Sequence, residues 1–379
     1  MKELRRIAAA VFALALLAGC AAGFQAGSQP FAGAPSFPDA APRNLAKKSH
    51  APTLYVLNVL HSEAIVSIYA DGGKTFLRSL NLGKFKKDEV AFAVDSAGTL
   101  YASAADSPGS QTLQIFTNQG AKRSGAIHQR GAFGWITLDS SGNLYTFCAV
   151  AGGVCEYAGA KHPVVRNFHG WPPIAVDSAG DLVVNCANGE YILCVFAPGR
   201  TQSSWGVTGG IDNRLDSVTF DAAGDLYAAN GYGAGGFGPG NVAVFTPGSS
   251  VPTRTITEGI ADPTSLAFDA AGNLYVYNLC TEPEKYGECP TPDGSITVYA
   301  PGGSTPIRTI TQGVGTDEST VYTGGSGLAI DGANTLYVVN RGNGPGDNGG
   351  IAVYPSGATS PIRIVTKQIH HPIAVAVGP

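Results

Sequence analysis

The feature that most constrains this chain is a string it repeats. Residues 265–278 read SLAFDAAGNLYVYN, a short apolar run, a turn and a second apolar run. Near copies stand at 91–104 (AFAVDSAGTLYASA), 135–148 (WITLDSSGNLYTFC), 173–186 (PIAVDSAGDLVVNC), 217–230 (SVTFDAAGDLYAAN) and 327–340 (GLAIDGANTLYVVN). The turn accounts for the recurrence. An Asp carboxylate accepts a hydrogen bond from the N–H two residues on, and a Gly three positions later enters the left-handed region that closes a hairpin. Asp95, Asp139, Asp177, Asp221, Asp269 and Asp331 hold the first place, and Asn334 replaces the Gly in the last copy. The motif belongs to the fold, not to a reaction.

Each hairpin is followed by two more apolar runs. The first is VSIYADG at 66, LQIFTNQG at 113, VCEYAGA at 154, LCVFAPG at 193, VAVFTPG at 242, ITVYAPG at 296 and IAVYPSG at 351. The second is FLRSL at 76, PVVRNF at 163, TRTIT at 253, IRTIT at 307 and IRIVT at 362, with weaker forms near 125 and 203. Four strands per unit follow, and the Asp positions are separated by 44, 38, 44, 48 and 62 residues. A four-stranded repeat of this period reads as a propeller blade. The strands show little polar alternation, as expected where blades stack face to face and cover both sides of each sheet.

Seven Leu-type strands can be counted, at Leu54, Leu100, Leu144, Leu182, Leu226, Leu274 and Leu336, but only six have an Asp-bearing strand before them. PIAVAVG at 372–378 matches PIAVD at 173–177 and then stops. It is expected to supply the innermost strand of the blade begun at residue 54. The expected fold is therefore all-β: a seven-bladed β-propeller of four-stranded antiparallel blades, closed by the C-terminal strand. A six-bladed ring with one degenerate unit is the alternative.

Bulk composition agrees. The 379 residues include 51 Gly and 24 Pro, an ample supply of turns, and are 44% hydrophobic, enough for a large core. Charged residues make up 14% and the net charge is −4, with no basic stripe beyond Lys84, Lys86 and Lys87. Nucleic acid is an unsuitable partner on that ground. The chain is read as a monomer.

The N-terminus is a separate object. MKELRR is a charged leader, and IAAAVFALALLA is an apolar segment too short to span a bilayer comfortably. The string Leu17-Ala18-Gly19-Cys20 resembles the lipobox of bacterial lipoproteins. That resemblance implies a signal peptide at 1–19, lipidation of Cys20 and attachment to a membrane outside the cytoplasm. With Ala21 next, it implies the outer membrane where two are present. An ordinary secretory signal is the alternative. Residues 20–52 then form the lipidated Cys and a flexible Ala, Gly, Pro and Ser-rich linker, and 53–379 the propeller.

The strings IAVDSAGDL and LAFDAAGNLYVYN are similar to NHL repeats, over about residues 54–379. The resemblance, to propellers of the gluconolactonase-like superfamily, implies the fold and leaves activity open. Such propellers include interaction scaffolds, lactonases and lyases. The active residues of NHL-type amidating lyases, virginiamycin-type lyases and gluconolactonases find no position-by-position match.

Six cysteines remain after Cys20, and their positions suggest the pairs Cys148–Cys155, Cys186–Cys194 and Cys280–Cys289. In the first two, one Cys lies four positions after the blade's Leu and the other two before Tyr157 or Phe196. Both are expected to bridge the second and third strands at equivalent places. The third would pin the insertion TEPEKYGE.

Loops leaving the second strand and loops leading into the innermost strand emerge on one face, around the channel. There stand His61, His128, Arg130, Trp135, His169, Trp171, Asn213, Arg214, Asp216, Asp262, Asp317, Glu318, His370 and His371. The two tryptophans offer stacking surfaces. His128, His169 and His371, from three blades, are candidate ligands for a divalent metal with an open position for water; no other cofactor is indicated. The Gly-rich loops at 231–241 and 341–350 join no strand to a helix, which excludes a phosphate cradle. Asn58, Asn230, Asn278 and Asn340, each four positions after a blade's Leu, fit backbone capping better than catalysis. The expected function is a binding module for a protein, peptide or glycan. The alternative is a metal-dependent lyase or hydrolase, and a passive surface-structure protein is a third class.

Overall fold

The computed structural model describes residues 51–60, 63–84, 90–107, 110–130, 133–148, 153–160, 166–186, 192–211, 214–231, 239–280, 294–315, 327–341 and 348–379, with backbone alone at 104–107, 110–111, 129–130, 133–134 and 160. Cys20, His61, Asn213, Cys289, Asp317, Glu318 and the Arg130 side chain lie outside what is described.

Seven four-stranded antiparallel blades form a ring. From innermost to outermost strand, blade 1 is Pro372–Gly378, Thr53–Leu60, Glu63–Ala70 and Thr75–Lys84, and blade 2 is Phe92–Val94, Leu100–Ser107, Ser110–Thr117 and Lys122–Arg130. Blade 3 is Phe133–Leu138, Leu144–Cys148, Gly153–Tyr157 and Arg166–His169, and blade 4 is Trp171–Val176, Leu182–Asn185, Leu193–Phe196 and Trp205–Val207. Blade 5 is Leu215–Phe220, Leu226–Asn230, Asn241–Phe245 and Arg254–Ile256. Blade 6 is Pro263–Phe268, Leu274–Asn278, Ser295–Tyr299 and Pro306–Ile310, and blade 7 is Leu328–Ile330, Leu336–Asn340, Gly350–Tyr354 and Arg363–Val365. Every innermost strand packs against the innermost strands of both neighbouring blades, without a break. The seven-blade count holds, and the C-terminal strand closes the ring in antiparallel register with Thr53–Leu60.

The Asp turns work as the spacing implies and carry one further element. In all six, Oδ1 accepts from the amides two and four residues on, at 2.7–3.0 Å. The residue three positions on has φ between 60° and 89°, including Asn334. The further element is the Tyr of the Leu-Tyr pair. Tyr101, Tyr145, Tyr227, Tyr275 and Tyr337 donate their hydroxyls to the second carboxylate oxygen at 3.1–3.4 Å. Burial, then the charge of Asp95, pushes the Tyr101 hydroxyl up to about 12, so it stays a donor at any ordinary pH.

Between blades lie the core clusters. Tyr275, Val298, Val338 and Tyr354 fill the space between blades 6 and 7, and Leu54, Tyr69, Val339 and Val353 that between blades 7 and 1. Each fully buried aliphatic side chain contributes about 1.5–3 kcal/mol. The recurring asparagines pin the loops leading into the blades: Asn230, Asn278 and Asn340 donate to the carbonyls of Gly210, Gly259 and Gly313 at 3.0–3.1 Å. Asn58 instead accepts from the amide of His370. Their role is backbone capping.

Blades 1 and 2 depart from the repeat. Their second and third strands run eight residues against five in blades 5 to 7, and Lys84 of blade 1 pairs with Ala105 of blade 2. The two blades thus join into one eight-stranded sheet. Two or three of these extra residues per strand extend past the level of Asn58 on the face opposite the Asp turns, and at about 3.3 Å per residue they raise a wall about 7–10 Å high there. Elsewhere the outermost strands are short, three residues in blades 4, 5 and 7, which blunts the exposed edges of the ring.

Candidate functional site

Among the described residues, the face opposite the Asp turns gathers the chemistry, because the innermost strands are bent where they start there. Register shifts interrupt their pairing at Ile373 in blade 1, Trp135 in blade 3, Pro172 and Pro173 in blade 4, Asp216 in blade 5 and Thr264 in blade 6. Such bulges re-aim side chains and concentrate near functional sites. Trp135, Asp262 and His371, at or just before three of these bulges, hold the left-handed conformation with φ of 53°, 57° and 45°. Each costs a non-glycine residue on the order of 1–3 kcal/mol, which the surrounding structure must supply.

Blades 3 and 4 form an aromatic sector. Trp171 is 56% exposed, and its ring stacks on Phe147 at 5.1 Å between centroids and 29° between planes. Trp135 is half-buried against the core between the two blades. Disulfides lie next to it in sequence. Cys148, next to Phe147, is bonded to Cys155, and Cys186, next to Asn185, is bonded to Cys194, with Cα separations of 5.8 and 5.6 Å. Asn185 is the register partner of Trp171, and its Oδ1 is buried without a hydrogen bond. Gly170 sets the turn into Trp171: a Cβ there would stand 2.6 Å from Val184 Cγ2 and 2.8 Å from the Asn185 carbonyl. Both disulfides join second and third strands at matching places, as their spacing indicated. Cys280 is disulfide-bonded too, and its expected partner Cys289 lies outside the described residues.

Blades 5 and 6 form a charged sector. Arg214 Nε donates to Asp216 Oδ1 at 3.1 Å, and Nη1 donates to Asp262 Oδ2 at 3.3 Å. Side-chain exposure is 16% for Arg214, 11% for Asp216 and 4% for Asp262. Two carboxylates therefore share one guanidinium in a poorly solvated place. Asp216 Oδ2, 2.9 Å from Arg214 Nε but off the N–H direction, and Asp262 Oδ1 make no hydrogen bond. Burial raises both carboxyls, with Arg214 opposing it; the charge of Asp262 adds to the rise at Asp216, which reaches about 7. Only glycine fits at position 231, since a Cβ would come within 2.5 Å of Asp216 Oδ2 and 3.0 Å of Asp262 Oδ1. Backbone bonds from Gly231 N to Arg214 O and from Asp262 N to Pro239 O fasten both described ends of the Gly-rich loop to this cluster.

The histidines are dispersed. His128 is within the outermost strand of blade 2 rather than in a loop, exposed, with Nδ1 2.7 Å from Thr112 Oγ1. His169 ends the outermost strand of blade 3, and His371 precedes the innermost strand of blade 1. Two lie toward the perimeter and one toward the axis. Among the described residues no group of three or more His, Cys, Asp or Glu side chains is placed to hold one metal ion, so His128, His169 and His371 are not brought together.

The ring of seven four-stranded blades and its closing strand define a seven-bladed β-propeller protein. Neither a protein-family model nor a curated protein matches the sequence. Solved structures similar to it include a functionally unknown protein from Desulfotomaculum acetoxidans DSM 771, at 11% identity and TM-score 0.59. Apo AztD from Citrobacter koseri is similar at 11% identity and TM-score 0.58, and a second structure of Citrobacter koseri AztD at 10% and 0.56. Each alignment covers 86% of this chain and 98% of the other. At that identity the likeness is one of fold. Two disulfides fit an oxidising, extracytoplasmic compartment, and among the described residues no helix is long and apolar enough to cross a membrane.

Proposed function

We propose that this protein is an extracytoplasmic, NHL-like propeller, lipid-anchored through Cys20 and held off the membrane by residues 21–52, that acts as a binding module. Its ligand, a protein, peptide or glycan, docks on the channel face at blades 3 and 4. One observation carries the reading: Trp171 exposes more than half its surface while its ring is stacked on Phe147. A large aromatic left in water yet fixed in position is a common mark of a recognition surface. Where the cell has two membranes, the anchor sits in the outer one.

The test is site-specific photocrosslinking in cells, with benzoylphenylalanine at position 171 and, as control, at Ser141 on the Asp-turn face. A discrete adduct at 171 that is absent at 141 supports the reading. Equal labelling at both positions, or none, overturns it.

A further inference from the structure

Resting on the reading of Cys20 as a lipid anchor, we propose that the seam between blades 7 and 1 docks on an anionic phospholipid bilayer, with a headgroup phosphate seated among Lys74, Arg363 and Lys367. Between these two blades the perimeter opens into a cavity of about 360 Å³, whose walls include Tyr69, Phe76 and Val365 together with the three cations. No acid is among its lining residues. Asp71, close by in sequence, is exposed and accepts a hydrogen bond from Thr75 Oγ1 at 3.4 Å. Arg363 is held in place by Nη2 donating to the Gly72 carbonyl, and the Lys367 ammonium stands 5.6 Å from the centre of the Phe76 ring. Among the described residues neither Lys74 nor Lys367 has an ion-pair partner, and both are exposed. Three cations around one concavity favour a ligand with concentrated negative charge.

Two further observations select a bilayer as the source of that charge. The first is the outer edge of blade 7, where side chains alternate. Arg363 and Val365 turn toward blade 1, and Ile362 and Ile364 are left 62% and 47% exposed. A soluble anion meets the cations and leaves these isoleucines in water, whereas a neutral bilayer covers the isoleucines and leaves the cations without counter-charge. An anionic bilayer satisfies both. The second is where the chain arrives. Gly72 N, in the turn that borders the cavity, donates to Pro52 O at 2.7 Å, so the linker from Cys20 joins the propeller at this seam. A flexible linker the length of residues 21–52 has an r.m.s. reach of roughly 30 Å, which lets the propeller stand clear of the bilayer or settle on this edge. Settling on the perimeter leaves the channel face open to its own ligand.

The test inserts the full lipoprotein through its anchor into vesicles of phosphatidylcholine, or of phosphatidylcholine and phosphatidylglycerol in equal parts. It carries benzoylphenylalanine at position 364 or, as control, at Gln202, which precedes the outermost strand of blade 4. Irradiation should give a lipid adduct at 364 in the anionic vesicles, at least about fivefold above that in the neutral vesicles and above that at 202. Lys74→Gln with Lys367→Gln should remove most of that excess without lowering the melting temperature, because both side chains are exposed. Equal adducts in the two kinds of vesicle, equal adducts at 364 and 202, or no effect of the paired variant overturns the proposal. So does loss of the adduct in inorganic phosphate but not in chloride of the same ionic strength, which makes the cavity a site for a free anion. Intact mass reads the anchor separately. A chain without acyl groups overturns the lipid-anchor reading, and the docking then stands or falls on whether the same protein sediments with the anionic vesicles and not with the neutral ones.

Discussion

Val56 stands directly opposite Val375 in antiparallel register, so the two ends of the propeller share one blade. Thr53 adds a hydroxyl bond to the carbonyl of Pro379. Removing residues 372–379 takes away the innermost strand of blade 1 with Ile373, Ala374 and Val375, all buried. Two of these are branched aliphatics worth about 1.5–3 kcal/mol each, against a total stability of about 5–15 kcal/mol for a typical protein. Thermal melting of the truncated chain is expected to show loss of the cooperative transition or a large fall in its midpoint. Val375→Asp, which buries a charge at a position 2% exposed, should fall in the same direction.

The disulfides of blades 3 and 4 differ from the Asp turns in that chemistry can remove them without mutation. Each closes a short loop, with sequence separations of 7 and 8, for which chain entropy gives about 2–3 kcal/mol. Reduction under native conditions should lower the melting midpoint. Cys186→Ser with Cys194→Ser should reproduce part of that fall. Cys186 follows Asn185, the register partner of Trp171, so the paired variant should also weaken ligand capture at position 171, read in the photocrosslinking assay.

The Asp turns allow a comparison within one protein. Asp269 receives the amides of Ala271 and Asn273, the Asn273 side chain and the Tyr275 hydroxyl. Asp177 receives the amides of Ala179 and Asp181, and the position of the tyrosine is held by Val183. Asp269 thus has two bonds that Asp177 lacks, and hydrogen bonds to a charged group contribute about 1.5–3 kcal/mol each, so Asp269→Ala should destabilise more than Asp177→Ala, by about 3 kcal/mol in urea unfolding. Equal costs would mean that neither the Asn273 side-chain bond nor the Tyr275 bond adds stability.

These elements show what could be read in the chain before its fold was known. Asp269 with Gly272, and Cys186 with Cys194, were legible because each is local and recurs at a fixed offset. The closing strand was legible because PIAV occurs twice. The pairing of Lys84 with Ala105 was not, since a few extra residues at a hairpin tip carry no period. Phe147 was overlooked as the support for Trp171, although its place beside a bridged cysteine is a usable signal. Arg214 and Asp262 were both placed on the channel face, yet their ion pair depends on two consecutive blades turning their strand starts toward one another. Ring curvature, not sequence spacing, makes that contact. For the same reason His128, His169 and His371 share a face without sharing a site.

Asp216 supplies a pH dependence whose sign can be derived. Its carboxyl is raised from the usual value of 3.8 to about 7 by burial and by Asp262, against the opposing charge of Arg214. Below pH 4 it is protonated in both folded and unfolded chains, and its contribution to stability is fully present. As pH rises from about 4 to about 7 the unfolded chain releases the proton while the folded one keeps it, so stability is lost across that window and the loss is complete above it. A shift of this size corresponds to a few kcal/mol at most. Asp216→Asn cannot titrate, and its melting midpoint should change less between pH 4 and 8 than that of the parent. Asp262 is raised in the same direction, so Asp262→Asn should flatten the profile further in combination. Arg214→Leu removes the charge that holds both carboxyls down and should steepen it. Parallel pH profiles for the parent and Asp216→Asn would mean that Asp216 ionises as freely in the folded protein as in the unfolded chain, with solvent reaching the contact between blades 5 and 6.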